Sequence, residues 1–500
     1  MIIKPSRDDY YSIAFFTGRT MIIFGLLFLV PLFTALLFLE WNPAIDYGVV
    51  VLFCFAAGLL LQTVFHTEKD LTWLTGLAVT SLSWLVMMFL GAIPLFMSGH
   101  YGSYLDACFD AMSGMATTGL ALIQDLDHLA ISHNMWRHFL MFVGGQGILV
   151  IGLTFLIRGS AGAYRMYVGE AREEKILPNV IKTARFIWGI SIFYMLIGTG
   201  ALALVAFLLG MPPITSLLHG LWIFMAAFDT GGFTPHSQSI LYYHSFAFET
   251  VTVVLMLLGT MNFAVHYALW NRNIKELWKN LEIRSLFITT TLTLIMVGAG
   301  LAALGTYPNW TAFIRKGAYQ LISAHSGTGY MTIYASQFIT EWNPLAFFAI
   351  ILAMAFGGSA CSTAGGIKAL RLGITLKAFI QDIKKIMIPG GSVIIVKFHH
   401  VKDVILNENI VRPSLLILIA YITTYVLGTI AGLFYGYSLA SASFESVSAC
   451  ANVGLSCGIT SPGMPNGLKV VYIIQMWLGR LEFMSVLALI GLIIAGFRGK

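Results

Sequence analysis

Ten stretches of this chain stay apolar over the length of about 20 residues that a helix needs to cross a bilayer. They run over residues 20–40, 47–65, 73–98, 135–157, 186–211, 246–270, 285–306, 343–367, 411–436 and 469–496. Only 10% of the residues are charged and 58% are hydrophobic, whereas soluble domains carry about 25% charged residues. The reading is an all-α polytopic membrane protein. The first run is 20 residues long and is followed by no small-residue cleavage site, so it reads as an anchor and not as a removed signal peptide.

Charge orients the spans. With Lys4, Arg7 and Arg19 on the cytoplasmic side, alternation also places Lys69, the 158–185, 272–284 and 368–412 loops, Arg498 and Lys500 inside. That side then holds 24 of the 29 Lys and Arg residues; Arg137, Arg315, Lys316 and Lys469 lie opposite, and Arg480 falls within a span. The positive-inside rule therefore gives cytoplasmic termini. The net charge of +6 reflects topology, and nucleic-acid binding is not needed to explain it. No loop is long enough for a globular domain, so a nucleotide-sensing domain is expected on another polypeptide. The basic loops suit an acidic partner or anionic lipid.

Five cysteines contain no Cys-x-x-Cys pair, and twelve histidines show no HExxH spacing. Neither a zinc cage nor a disulfide framework is signalled. His325 is the one tempting catalytic group at membrane depth, and it has no Ser-His-Asp or metal-like companion. The chain is read as a transporter and not an enzyme.

An internal repeat carries the strongest signal. Four times a short apolar segment ends in a Gly followed by a large apolar residue: "DAMSGMATTGL", "IFMAAFDTGGF", "QLISAHSGTGY" and "ESVSACANVGL". The glycines are Gly119, Gly232, Gly329 and Gly454, spaced 113, 97 and 125 residues apart, and six residues before each stands a small residue: Ser113, Ala226, Ser323 and Ser448. A segment of about eleven helical residues reaches only halfway across a hydrocarbon core of about 30 Å, so it must enter and return on one side. Irregular backbone at that depth is tolerated where it is buried in protein or lines a wet cavity. Four such loops about one axis would present peptide carbonyls to an ion, with Gly supplying left-handed dihedrals and each segment aiming a negative helix end at the cavity. The organisation expected is a two-helix extension over 1–66 and four span-segment-span repeats with pseudo-fourfold symmetry over 67–172, 173–282, 283–403 and 404–500. An inverted-repeat carrier for an organic solute is disfavoured by repeats that all run the same way.

On these loops, on "GGSACSTAGGIK" at 357–368 and on "WLGRLEF" at 477–483, the chain resembles the Trk/Ktr/HKT superfamily of potassium transporters. Its plan is most similar to the membrane subunit of the bacterial Trk system, over about residues 20–500. The resemblance implies potassium uptake across a bacterial cytoplasmic membrane, with rubidium also accepted and no covalent cofactor. It further implies a homodimer and a cytosolic ring of nucleotide-binding regulatory subunits of the TrkA type. The filter residues it implies are Thr117, Thr118 and Gly119; Thr230, Gly231 and Gly232; Gly327, Thr328 and Gly329; and Asn452, Val453 and Gly454. Their first two positions vary, so backbone carbonyls must carry most of the coordination. Asp229 has no counterpart in the other loops, and reads equally as a group that enriches cations at the mouth or as a cap for local amides.

Residues 345–376 form an apolar stretch too long for one span, interrupted by Gly357, Gly358, Gly365 and Gly366 with Ser359, Ser362 and Thr363 between them. Such residues are poor helix interior, and the span is expected to break there. A phosphate loop is excluded because Ile367 separates Gly366 from Lys368 and Ala369 follows. The resemblance implies that this segment lies below the filter, that it moves for ions to pass, and that Arg480 projects into the pore and touches it. A buried ion pair of Arg480, for example with Asp110 or Glu445, is the competing reading; pairing with Glu482, two residues on, is disfavoured by helix geometry. Each inward potassium gains about 2.3 kcal/mol per 100 mV, so gated uniport needs no coupling. The alternative is proton- or sodium-coupled symport through the same pore.

Overall fold

Ser6 opens the first helix with a capping box, its hydroxyl accepting from the Asp9 amide while the Asp9 carboxylate accepts from the Ser6 amide. The computed structural model describes residues 5–147, 160–170, 180–387 and 394–498. Helices α1 (Arg7–Leu27) and α2 (Leu29–Leu37) form one nearly continuous span, followed by α3 (Trp41–Val64) and α4 (Trp73–Met97). Next come α5 (Tyr104–Met115), α6 (Ile131–Gln146), α7 (Ser160–Gly169), α8 (Val180–Leu208) and α9 (Pro213–Phe228). The bent pair α10 (Phe246–Thr260) and α11 (Phe263–Trp270) leads to α12 (Leu281–Leu304) and the short α13 (Tyr319–Ser326). After α14 (Pro344–Ala355) and α15 (Ala369–Ile386), β1 (Lys397–His400) and β2 (Lys402–Ile405) pair antiparallel, Lys397 opposite Ile405. The chain closes with α16 (Glu408–Phe434), α17 (Leu439–Cys450), α18 (Asn466–Arg480) and α19 (Met484–Arg498).

The described helices follow most of the expected spans, with three differences. Among the described residues six helices are long and apolar enough to cross a bilayer, and two bent pairs bring the number to eight. First, the run expected over 246–270 breaks by 101° between α10 and α11. Asn262 sits at that corner, fully buried; its side chain caps α11 by accepting from the Ala264 amide and donates to Glu282. Second, the run over 469–496 breaks by 113° between α18 and α19, where Glu482 and Phe483 adopt left-handed φ of 48° and 69°. Third, the first span begins at Arg7, well before residue 20, because buried Ser12, Thr17 and Thr20 still face protein; the Thr20 and Ser83 hydroxyls meet at 3.0 Å. The break foreseen in the Gly-rich segment occurs: α14 ends at Ala355 and α15 starts at Ala369. Beyond α6, the rest of the 135–157 span lies outside the described residues, as do Arg158, Arg172, Lys175 and residues 389–391.

Apolar burial follows the same plan. One core joins α1–α6 to α18 and α19 around Phe24, Trp84, Trp136 and Met476. A second gathers α12–α14, α16 and α17 around Phe347, Tyr421 and Phe444. A third lies among α6 and α8–α10 around Phe224 and Phe228. Outward faces keep large exposed apolar residues such as Leu52, Leu196, Phe287 and Leu427, as expected of helices solvated by lipid tails.

Candidate permeation site

Four short helices, α5, α9, α13 and α17, each end in one of the Gly loops, and the four ends are built alike. The amide just before each loop glycine donates five residues back: Thr118 to Ser113 (2.8 Å), Gly231 to Ala226 (2.7 Å), Thr328 to Ser323 (3.0 Å) and Val453 to Ser448 (2.9 Å). The preceding amide donates three back in every case, Thr117 to Gly114, Thr230 to Ala227, Gly327 to Ala324 and Asn452 to Ala449. The small residue six before each glycine is thereby explained, since the loop folds back directly over it. Ser113 and Ser448 add a hydroxyl that accepts from the Gly119 and Gly454 amides at 3.0 and 3.1 Å.

The loop glycines have φ of 96°, 74°, 84° and 89°, the left-handed region open to Gly at no steric cost. They also close a cycle. A Cβ on Gly119 would strike the Gly231 carbonyl oxygen; one on Gly232, that of Thr328; one on Gly329, that of Val453; and one on Gly454, that of Thr118. Each loop is therefore packed against the next, first to second, second to third, third to fourth and fourth back to first. All four glycines line one cavity of about 240 Å³. The sequence reading missed a second left-handed position at the start of each loop, Thr117 (53°), Thr230 (49°), Gly327 (77°) and Asn452 (55°). Thr117 and Thr230 turn their hydroxyls onto the preceding carbonyls, Ala116 and Asp229, and Asn452 donates to Thr118 and to the Met476 carbonyl.

The Gly-rich segment lies against the other end of this cycle. Thr363 is within hydrogen-bonding reach of both Thr117 and Thr230, Ala364 is the nearest neighbour of Gly327, and Gly365 abuts Ala451 and Asn452. Three consecutive residues, 363–365, thus touch all four loops. The segment is tied to the wall by Thr363, which donates to the Phe228 (3.0 Å) and Gly259 (2.9 Å) carbonyls, and by Ser359, whose amide donates to Thr260 at 3.1 Å. Gly357 and Gly366 back onto each other too closely for side chains, and Ser362 bonds the Ser359 carbonyl. Arg480, at the end of α18, donates to the Thr363 carbonyl (2.6 Å) and to Gly144 (2.5 Å) and Gly145 (3.2 Å) at the end of α6. Of the two acids offered as partners for Arg480, Asp110 faces Arg137, and Glu445 binds backbone and hydroxyl groups. Glu482 points away and pairs with Arg371 and Lys368.

The family model described as a cation transport protein matches residues 42–493, nearly the whole chain. The chain belongs to the TrkH family. An uncharacterized cation transporter of Methanocaldococcus jannaschii is 31% identical over 98% of this chain and 97% of its own. The Trk system potassium uptake protein TrkG of Escherichia coli is 27% identical, covering 94% and 96%. The crystal structure of the potassium transporter TrkH from Vibrio parahaemolyticus superposes with a TM-score of 0.79 at 24% identity, over 96% of this chain and 98% of that one, which establishes a common fold.

In this TrkH-family chain, several polar groups hold roles that sequence did not disclose. Asp229 is fully buried and accepts from the Gln146 side chain at 2.8 Å. His325 is held by the Thr289 and Thr290 hydroxyls at 2.8 and 3.2 Å. Asp110 and Glu445 both stand nine residues before a loop glycine. Each clasps the strand leaving the loop, Asp110 through the Leu122 amide (2.7 Å) and Glu445 through Cys457 (2.9 Å). The outer basic residues are also engaged: Arg137 lies over the Phe233 ring at 4.2 Å, Arg315 pairs with Glu249 at 2.6 Å and Lys469 with Asp106 at 2.5 Å. Gly144, Gly259 and Gly479 let later helices pass against the Met115, Phe228 and Cys450 carbonyls at the ends of α5, α9 and α17. Their spacing from the loop glycines, 25, 27 and 25 residues (144 − 119, 259 − 232, 479 − 454), was the available signal.

Proposed function

We propose that the chain carries potassium across a bacterial inner membrane through a selective, gated pore, moving down the membrane potential. The observation that carries this reading is the closed cycle of four glycine bends, each seated against a carbonyl of the next. Carbonyl rings of this kind replace an ion's hydration shell, and the negative ends of four helices converge on the same place. The names of the curated relatives, potassium uptake proteins of the Trk system, agree. The filter is assigned to residues 117–119, 230–232, 327–329 and 452–454, and the four span-segment-span units are assigned as pseudo-fourfold repeats. The gate is assigned to the turn around Thr363 with Arg480, which together lie across the inner end of the cycle. Uniport follows from the energetics, since about 2.3 kcal/mol per 100 mV supports accumulation without a coupled ion.

The positive-inside rule supports cytoplasmic termini. A homodimer and a cytosolic nucleotide-binding ring of the TrkA type are the partners assigned; the work is transport and no catalysis is assigned. The test is selectivity. Replacing Gly119 by Ser places a side chain on the Gly231 carbonyl, so sodium flux into proteoliposomes at a clamped potential should rise relative to potassium. An unaltered ion preference would remove Gly119 from the filter. Flux of the unmodified protein that follows an imposed proton or sodium gradient would replace uniport by symport.

A further inference from the structure

Apart from the cavity lined by the loop glycines, a cavity of about 310 Å³ opens between the start of α12, the middle of α15 and the β-hairpin. Lys279, Arg284, Lys377 and Lys397 line it, with His399 and Asp403. The three lysines make no ion pair among the described residues. Among the described residues, Arg284 donates to a carbonyl, that of Trp278, at 2.6 Å. The one carboxylate in the lining, Asp403, is taken by His399 (2.7 Å), whose other nitrogen meets Glu276 at 3.0 Å. The Asp403 hydrogen bond, and less so Glu276, hold the His399 pKa above its ordinary value against the opposing effect of partial burial, so its charged form is favoured. Among the described residues, four cationic side chains and a histidine therefore face a space with a single neutralised acid.

A second observation says what could fill the space. Trp270, Ile274 and Trp278 are exposed immediately before Lys279, and Phe287 and Ile288 are exposed just after Arg284. Tryptophans beside a lipid-facing apolar surface mark the level of the headgroups. The pocket thus opens at the depth where phosphates lie, beside surface suited to acyl chains. Basic pockets on this side of membrane proteins fit anionic headgroups, and guanidinium with ammonium groups is the donor set that phosphate oxygens take.

We infer that this pocket binds a phosphate-bearing anion, the headgroup of an anionic phospholipid in particular. The inference is independent of ion selectivity, so it can fail while the transport reading stands.

The experiment uses the full chain purified in neutral detergent, with phosphatidylglycerol, phosphatidylcholine and inorganic phosphate as probes. Retention is read by native mass spectrometry and stabilisation by the thermal midpoint. Phosphatidylglycerol should be retained and should raise the midpoint, whereas phosphatidylcholine should do neither. Combined Lys279→Gln, Lys377→Gln and Lys397→Gln should weaken retention on the order of a hundredfold, from about fivefold per cation. Removing the same charge outside the pocket, by Lys275→Gln, Lys384→Gln and Lys385→Gln, should leave it intact. An effect of inorganic phosphate equal to that of phosphatidylglycerol, lost in the pocket variant, would keep the anion site and overturn its lipid occupant. Equal loss in both triple variants, or no loss in the pocket variant, would overturn the site.

Discussion

Arg480→Ala tests the gate most directly. The guanidinium joins two segments that the proposed gate requires to part: Thr363 of the Gly-rich turn (2.6 Å) and Gly144 at the end of α6 (2.5 Å). A hydrogen bond from a charged donor contributes about 1.5–3 kcal/mol. Only bonds lost on opening bias the equilibrium, and movement of the turn alone forfeits the Thr363 bond. Its lower bound, about 1.5 kcal/mol, corresponds to about a tenfold shift towards the open form. Loss of both short bonds at that bound gives about 3 kcal/mol and on the order of a hundredfold. Relief of repulsion between guanidinium and the passing cation acts in the same direction. Rubidium uptake into proteoliposomes at a clamped potential, without any partner subunit, should therefore rise ten- to hundredfold. Arg480→Lys, which keeps the charge but loses the forked donor, should fall between. Unchanged uptake by a variant that elutes as the parent protein does would refute the placement of Arg480 at the gate.

Two further outcomes follow from groups described above. Glu445→Ala strips a buried acceptor from the Cys457 and Ile459 amides and the Ser456 and Thr460 hydroxyls. Leaving two buried amides unmade costs about 2–6 kcal/mol, read as a lowered thermal midpoint in detergent; an unmoved midpoint would show that the strand after Gly454 is held by other contacts. In the hairpin, His399 has a folded pKa raised above 6.5 by Asp403. Its contribution is complete below about pH 6.5 and is lost as pH climbs through the raised value. The midpoint difference between the parent and His399→Asn should therefore shrink on the alkaline side, and a difference that grows with pH would contradict the assigned partners.

What could be read from residue order is what recurs locally. Gly119, Gly232, Gly329 and Gly454 are legible because a left-handed bend needs a Gly and the folded-back loop needs a small residue six positions earlier. The left-handed Thr117 and Thr230 are not, because β-branched residues avoid that region and only surrounding contacts impose it. The break at Gly357–Gly366 announces itself in poor helix formers. The corner at Leu481–Phe483 does not, since it is made by Glu482 turning towards Arg371 and Lys368, more than a hundred positions away in the chain. Asp229 does not disclose its partner for the same reason: Gln146 lies 83 positions earlier in the chain. Pairings across units leave no mark in either segment alone.

The cyclic seating of the four bends has a genetic corollary. Since every loop glycine yields its missing methyl to the neighbour on one side, damage at one corner is shared with a specific second corner and with no other. Suppressors of a lesion at Gly119 should cluster near Gly231, those of Gly232 near Thr328, those of Gly329 near Val453 and those of Gly454 near Thr118. Read round the ring, such a map would have a handedness, and it would be the same handedness at all four corners.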